Sequence, residues 1–355
     1  MAKILMKGNE AIGEAAIRAG CLNYFAYPIT PQSEVAEYLA RRMPEVNGVF
    51  LQGESEVAVG YMLFGAAGAG ERVFTTSSSP GVSLMSEAIS YIAGAQCPVV
   101  FVNIIRGGPG LGGILPSQGD YFQSVKGGGH GDYRMLVMAP ASVQEAVEMV
   151  MKAFPLAEKY RNPVMILGDG LIGQMMEPVE FPDHLRSDPS KKDDWATNGM
   201  DTRKSTARNL VKSLYLDPEA LNDHNLLLKS KYDRMKQDEV RYESYNAGGD
   251  FQALIVSYGT MSRVCRTAID HLKEEGVEVG MIRPQTVFPF PEKAIHEAAS
   301  KESCRVVLSI EMSMGQMVED VERAVLGKRP VKWYGKCGGE VPTPEEIMEV
   351  VKEHL

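Results

Sequence analysis

Cysteine is scarce and scattered. The five in this 355-residue chain, Cys21, Cys97, Cys265, Cys304 and Cys337, include no C-x-x-C pair. That excludes the usual spacings of iron–sulfur clusters and structural zinc and points to a reducing, cytoplasmic compartment. The six histidines do not cluster. Basic charge is also short: 37 Lys and Arg face 46 Asp and Glu, a net charge of -9, whereas a nucleic-acid partner needs basic surface. No apolar run approaches the roughly 18 residues of a membrane-spanning helix, and Met1–Gly8 is too poor in apolar residues for a signal peptide. What remains is ordinary globular composition, 44% hydrophobic and 23% charged, and enough length for two domains, each with its own core.

One stretch organises the rest. Phe50-Leu51-Gln52-Gly53-Glu54-Ser55-Glu56 ends a short strand in a carboxylate pair and runs into Val57-Ala58-Val59-Gly60-Tyr61-Met62-Leu63-Phe64-Gly65-Ala66-Ala67-Gly68. The latter is a helix apolar on every side, which predicts burial with close backbone neighbours at its glycines and alanines. A carboxylate at the mouth of a buried helix is costly unless something pairs with it. The helix dipole alone also favours acids in a first turn, so the local pattern leaves Glu54 and Glu56 open between cap and chemistry.

The chain in order alternates strand and helix. Ala11, Ile12, Ala15, Ala16 and Ala19 predict a helix closed by Gly20. Asn23–Tyr27 is a strand ending in Pro28-Ile29-Thr30-Pro31, with Thr30 as N-cap and Pro31 opening a helix through Arg42. Such a helix start is either a plain cap or an anion site. Strand Arg72–Thr76 leads through Ser77-Ser78-Ser79-Pro80-Gly81 into a helix from Val82 to Ala93. The apolar strand Pro98–Ile105 ends at Arg106, where ligands of open α/β sheets bind and a guanidinium suits a carboxylate, unless Arg106 is only a surface turn residue. Gly108-x-Gly110-x-x-Gly113 matches a dinucleotide fingerprint only formally, because no helix opens after it. Pro116 through Asp132 is a long glycine-loaded loop, a lid or simply slack, and His130 within it reads as polar surface. Strand Met135–Met138, a capping box at Ser142 and Glu145, and strand Pro163–Leu167 with its Gly168-Asp169-Gly170 end complete a first α/β domain, residues 1–178.

Residues 179–249 read as a charged linker. Clusters such as Arg186-Ser187-Asp188-Pro189-Ser190-Lys191-Lys192-Asp193-Asp194 break periodicity, and Leu226 to Tyr245 is a candidate charged, exposed helix. Residues 250–355 resume the rhythm as a smaller α/β domain. Its strands are Phe251–Val256, Val277–Ile282, Arg305–Ile310 and Val331–Tyr334, its helices start at Met261, Glu292 and Gly315, and a last helix is capped by Thr343.

Taken together, Tyr27-Pro28-Ile29-Thr30-Pro31, Gly53-Glu54-Ser55-Glu56, Ser77-Ser78-Ser79-Pro80-Gly81, Asn103-Ile104-Ile105-Arg106-Gly107-Gly108-Pro109-Gly110 and Met314-Gly315-Gln316-Met317 resemble the alpha subunit of the 2-oxoacid:ferredoxin oxidoreductases over essentially the whole chain. Lys126-Gly127-Gly128-Gly129-His130-Gly131-Asp132 and Gly168-Asp169-Gly170 lean toward the branched-chain, 2-oxoisovalerate (3-methyl-2-oxobutanoate) branch, with the 2-oxoglutarate branch a near relative. The resemblance implies a thiamine diphosphate-enzyme pyrimidine-binding-type domain followed by a transketolase C-terminal-like domain. It implies that Glu56, selected over Glu54 by the Ser-Glu pair, hydrogen-bonds N1′ of the cofactor's aminopyrimidine and favours the imino tautomer that deprotonates the thiazolium. Thr30 and Arg106 would bind the 2-oxoacid carboxylate, and Tyr27, Pro28 and Ser79 would line the cofactor.

By the same likeness a separate beta subunit holds the diphosphate and its magnesium. Gly168-Asp169-Gly170 imitates the start of a magnesium-diphosphate motif, but charged linker follows it, with only Asn198-Gly199 nearby. No metal is expected in this chain, and its cysteines supply no ligand set for an iron–sulfur cluster. A gamma subunit and a small iron–sulfur, ferredoxin-like subunit would complete a cytoplasmic enzyme without nucleic-acid or membrane partners. It would convert 2-oxoacid, coenzyme A and oxidised ferredoxin into acyl-CoA, carbon dioxide and reduced ferredoxin. A 2-oxoglutarate-specific complex and a non-catalytic scaffold subunit are the alternatives, the latter opposed by intact Thr30, Glu56 and Arg106.

Overall fold

The computed structural model describes residues 3–182, 192–199 and 208–355. The charged cluster Arg186–Asp194 therefore lies outside the described residues, save Lys192, Asp193 and Asp194. In chain order the strands are β1 (Ile4–Lys7), β2 (Asn23–Ala26), β3 (Val49–Gln52), β4 (Val73–Ser77), β5 (Val100–Ile105), β6 (Leu136–Met138) and β7 (Val164–Asp169). Then come β8 (Met176–Val179), β9 (Tyr242–Tyr245), β10 (Ala253–Val256), β11 (Val279–Pro284), β12 (Thr286–Phe288), β13 (Val306–Glu311) and β14 (Val331–Gly335).

Seven strands form a sheet in the order β12-β6-β7-β5-β4-β2-β3 and five form a second, β14-β13-β10-β11-β9. Pairing in both is parallel except at β12 and β9, the antiparallel edges. Strands β5, β7, β11 and β13 are buried along their whole length, as continuous apolar runs require when helices cover both faces of a parallel sheet. β1 and β8 pair antiparallel as a small ribbon.

The two sheets do not keep separate cores. One apolar cluster runs from Val59, Leu63 and Ile89 through Tyr121 and Tyr133 to Phe251, Tyr258, Ile282 and Val321. Separate clusters cover the outer faces, one around Ile12, Leu39 and Phe154 and the other around Ile255, Ile269 and Leu308. Strand β12 also crosses into the larger sheet, with Thr286 opposite Met138 and Phe288 opposite Val137. The segment is too short for its period to be read, and Pro289 follows at once.

Other elements shift from expectation for local reasons. The second helix spans Ser33–Glu45 with Gln32 at its cap. Gln32 N bonds Ile29 O at 3.2 Å, so Thr30 and Pro31 form the corner of a separate turn instead of opening the helix. Ser142 caps its helix by accepting from Glu145 N at 3.1 Å, but Glu145 does not complete the box. Its carboxylate takes both terminal nitrogens of Arg283 at 2.6 and 2.8 Å, joining the two halves. Thr343 and Glu346 form the full reciprocal box. The linker helix spans Pro218–Asp238, capped by Asp217, and Tyr242–Tyr245, expected as helix, is the edge strand β9.

Candidate active site

The larger sheet reverses its strand order at β2, with β3 on one side and β4 on the other. Such a reversal opens a crevice at the carboxyl ends. β2 and β4 pair only through Asn23–Val73 and Tyr24–Phe74, and side chains bridge the opening beyond. Tyr24 Oη lies 2.7 Å from Thr76 Oγ1, which donates to Gln32 Oε1. The crevice walls are unusually polar and undersatisfied. Gln32 Nε2, Ser77 Oγ, Ser78 Oγ and Arg106 Nε are buried without a hydrogen-bond partner among the described residues. Orphaned groups of this kind cost about 1–3 kcal/mol each unless a ligand or water completes them.

Glu56 opens the helix Glu56–Gly68 directly after Ser55, whose Oγ accepts from Ala58 N at 3.2 Å. Burial separates the two acids: Glu54 is exposed, whereas Glu56 is 7% exposed and accepts no hydrogen bond from any described residue. Its carboxylate lies over Gly81, where a Cβ would stand 2.8 Å from Glu56 Oε1 and 2.2 Å from Ser77 Oγ. The helix behind it is not wholly buried. Val57 is 40% and Tyr61 38% exposed, one helical turn apart, and Val49 and Leu51 of the edge strand β3 are exposed as well. An apolar patch of this sort marks a surface built to be covered.

Arg106 is 8% exposed with no carboxylate partner among the described residues. Its Nη1 donates to Thr30 O at 2.9 Å and its Nη2 to Leu111 O at 3.1 Å. The two carbonyls aim the fork without neutralising it, leaving the whole positive charge for an incoming anion. Thr30 thus meets Arg106 through its backbone, while its side chain stays exposed without a hydrogen bond to any described residue. The glycine-rich loop folds back on itself, Gly107 N to Leu115 O at 3.0 Å and Gly113 N to Gly107 O at 2.8 Å, so no helix opens there.

Ser79 is buried, and its Oγ sits between the backbone N and O of Arg106, at 3.1 and 3.4 Å. Ser79 N donates to Asn103 Oδ1 at 3.0 Å, and Asn103 Nδ2 to Asp120 Oδ2 at 3.0 Å. Burial pushes the Asp120 carboxyl up from its ordinary range against hydrogen bonds from Ser79 and Asn103. Gln32, Asn103 and Asp120 were not singled out from sequence. The available signal was Asn103, the one polar residue in the apolar run Pro98–Ile105. Tyr27 and Pro28 lie exposed at the mouth, just past β2.

The loop Pro116–Asp132 is a tie between the two halves, not a lid. Gln118 donates from Nε2 to Tyr258 O and accepts Met312 N at Oε1, both at 2.9 Å. Tyr121 Oη donates to Asp320 at 2.7 Å, and Gln316 of the Met314–Met317 motif accepts Phe122 N at 2.8 Å. His130 lies edge-on to Tyr91 on the surface. Asp169 spends Oδ1 on Leu171 N and Ile172 N as a helix cap, at 2.9 and 3.2 Å. Among the described residues no three His, Cys, Asp or Glu side chains group as a metal site.

Residues 14–243 match the profile described as pyruvate flavodoxin/ferredoxin oxidoreductase, thiamine diphosphate-binding, and residues 252–347 match pyruvate:ferredoxin oxidoreductase core domain II. The chain belongs to the 2-oxoacid:ferredoxin oxidoreductase family. It is 47% identical to the ketoisovalerate oxidoreductase subunit VorB of Methanothermobacter thermautotrophicus, over 99% of this chain and 98% of that one. It is 35% identical to the 2-oxoglutarate synthase subunit KorA of the same organism, over 98% and 97%. The 2-oxoglutarate:ferredoxin oxidoreductase from Magnetococcus marinus, solved with 2-oxoglutarate, coenzyme A and succinyl-CoA bound, superposes with a TM-score of 0.85 at 26% identity. That match takes 99% of this chain but spans only 65% of the other's length. As a family member the chain is an alpha-type oxidoreductase subunit, with a thiamine diphosphate-binding domain preceding the second α/β domain. It works as part of a multi-subunit enzyme. Among the described residues no helix is long and apolar enough to cross a membrane.

Proposed function

We propose that this chain supplies the pyrimidine-binding half of a thiamine diphosphate site that oxidises a branched 2-oxoacid, 2-oxoisovalerate, to its acyl-CoA with ferredoxin as acceptor. The observation carrying the substrate reading is the contrast in likeness, 47% to a ketoisovalerate oxidoreductase subunit against 35% to a 2-oxoglutarate synthase subunit from the same organism.

The residues fit the cofactor's needs. Glu56, buried and without a donor among the described residues, fits an aminopyrimidine nitrogen that shares a proton with a carboxylate. Gly81 lets the Glu56 carboxylate and Ser77 Oγ sit against its backbone, where a Cβ would collide with both, and the orphaned Ser77, Ser78 and Gln32 groups offer further hydrogen bonds. When bound, thiamine diphosphate supplies the nucleophilic carbon and the electron sink for decarboxylation. Glu56 holds the proton at the pyrimidine N1′. Arg106, with its free Nε, and the Thr30 hydroxyl bind the 2-oxoacid carboxylate and orient it. Ser79, Asn103 and Asp120 keep Arg106 at its angle. Tyr27 and Pro28 border the cofactor at the mouth.

The remaining parts come from partners in the cytoplasm: a beta subunit for the diphosphate and magnesium, a gamma subunit, and a small iron–sulfur subunit that passes electrons on. The exposed apolar face of Val57 and Tyr61 supports a covering chain at the crevice. The cysteines support a cluster housed elsewhere, since four are buried and burial pushes the thiols of Cys21, Cys97 and Cys265 up to about 12, away from the thiolate that binds iron.

The test is anaerobic purification of the tagged chain with its partners, followed by coenzyme A-dependent viologen reduction on 2-oxoisovalerate and 2-oxoglutarate side by side. Higher kcat/KM with the branched acid is expected. Preference for 2-oxoglutarate would overturn the substrate, and no reduction with either would overturn the function.

A further inference from the structure

A second cavity, of about 580 Å³, opens at the seam of the two halves. It is within the ordinary range of small-molecule sites, roughly 300–1,000 Å³. None of Glu56, Thr30, Arg106 or Ser79 lines it. Its apolar wall is Val287, Phe288, Pro289, Phe290 and Pro291, where the chain leaves β12. Val287 and Phe290 are buried, so the wall is fixed by the core behind it.

The rim carries the opposite chemistry. Five cations line the cavity, Lys126, Arg134, Lys236, Lys293 and Arg323, against three acids, Glu292, Glu297 and Asp320. The excess of two positive charges stands out on a chain of net charge -9. The acids are already engaged. Asp320 accepts from Tyr121 Oη at 2.7 Å and Lys126 at 2.5 Å, and it pairs with Arg323 at 3.2 Å. Glu292 pairs with Arg323 at 2.6 Å and Glu297 with Lys293 at 3.8 Å. Among the described residues two cations are left without an acid of the cavity. Arg134 donates from Nη1 only to the carbonyls of Lys126 and Tyr133, at 3.0 and 2.9 Å. Among the described residues Lys236 pairs only with Asp233, at 4.0 Å, which does not line the cavity. A concave site with low-dielectric walls and unbalanced cations concentrates anions, and Arg with Lys is the pair that grips phosphate.

We propose that this cavity binds a phosphate-bearing organic anion of the nucleoside-phosphate kind, with its phosphates at Arg134 and Lys236 and its apolar body against Phe288 and Phe290. The test is calorimetric titration of the purified complex with ADP, and separately with inorganic phosphate, at one ionic strength. One ADP per copy of this chain is expected, bound at least about tenfold tighter than phosphate. The double variant Arg134→Glu, Lys236→Glu should weaken ADP by at least about tenfold while leaving turnover on the 2-oxoacid unchanged. Lys236→Gln, at an exposed helix end and clear of Arg134's backbone bonds, should weaken it about fivefold should the double variant not assemble. Three results would overturn the proposal: no saturable ADP binding, phosphate binding as tightly as ADP, or ADP affinity indifferent to the variants.

Discussion

Gly81 has no room for a side chain, because a Cβ there meets Ser77 Oγ at 2.2 Å and Glu56 Oε1 at 2.8 Å. Gly81→Ala should therefore displace the carboxylate of Glu56 and lower kcat at least about tenfold. The melting temperature should fall as well, since overpacking, at roughly 1–3 kcal/mol, outweighs the gain of about 1 kcal/mol from alanine as the better helix former; steady-state kinetics and a thermal melt of the same preparation check both halves. Arg106→Lys keeps the charge but loses the fork that spans Thr30 O and Leu111 O. It should raise KM for the 2-oxoacid by about ten- to a hundredfold, measured with coenzyme A saturating. At this scale the structure supplies settings that the sequence leaves open. Glu54 and Glu56 are indistinguishable as first-turn acids, and only burial separates them. Thr30, readable from sequence as a helix cap or an anion-site residue, sits instead at a turn corner, because the turn depends on the Ile29–Gln32 hydrogen bond. Asn103 and Asp120 were illegible as a pair, being brought together by the loop's path alone.

Among the elements, the loop Pro116–Asp132 shows how tertiary bonds overrule composition. Its glycines suggest freedom, yet Gln118 fills two backbone groups of the other half. Gln118→Ala leaves Tyr258 O and Met312 N unsatisfied and should cost about 2–4 kcal/mol, read from urea unfolding of the complex. The helix Pro218–Asp238 buries Lys231 against Tyr232, with Nζ donating to Arg161 O at 3.1 Å. Burial first, then the nearby Arg161, lowers this ammonium from its ordinary 10.5 to about 7. The unfolded chain therefore binds the extra proton between about pH 7 and 10.5, so this group makes stability rise with pH across that window and costs most below it. Lys231→Met should raise the melting temperature by several degrees near pH 6, roughly 2–4 °C per kcal/mol, and by less near pH 9. An equal gain at both would contradict the assignment. The helix was legible from its charged, exposed composition, but it starts at Asp217-Pro218, a cap followed by a first-turn proline, and ends at Asp238 instead of running from Leu226 to Tyr245.

For the whole molecule, strand–helix alternation was enough to read the parallel sheets, since buried runs such as Val100–Ile105 admit few other placements. It could not show that the halves share one core, because that depends on β12 entering the larger sheet and on Tyr121 meeting Tyr258. Nor could it show that the apolar helix after Glu56 keeps an open face. That face, the uncapped charge of Arg106 and the orphaned walls of the crevice are the features on which the proposed half-site rests. The most direct measurement compares purified complexes carrying the wild-type chain or Glu56→Gln, with subunit content and coenzyme A-dependent viologen reduction recorded on the same samples. The substitution keeps the side chain's shape but removes the ionisable group proposed to meet the pyrimidine. Full subunit content with turnover down at least about a hundredfold is the expected result. Full turnover from an intact Glu56→Gln complex would contradict the account.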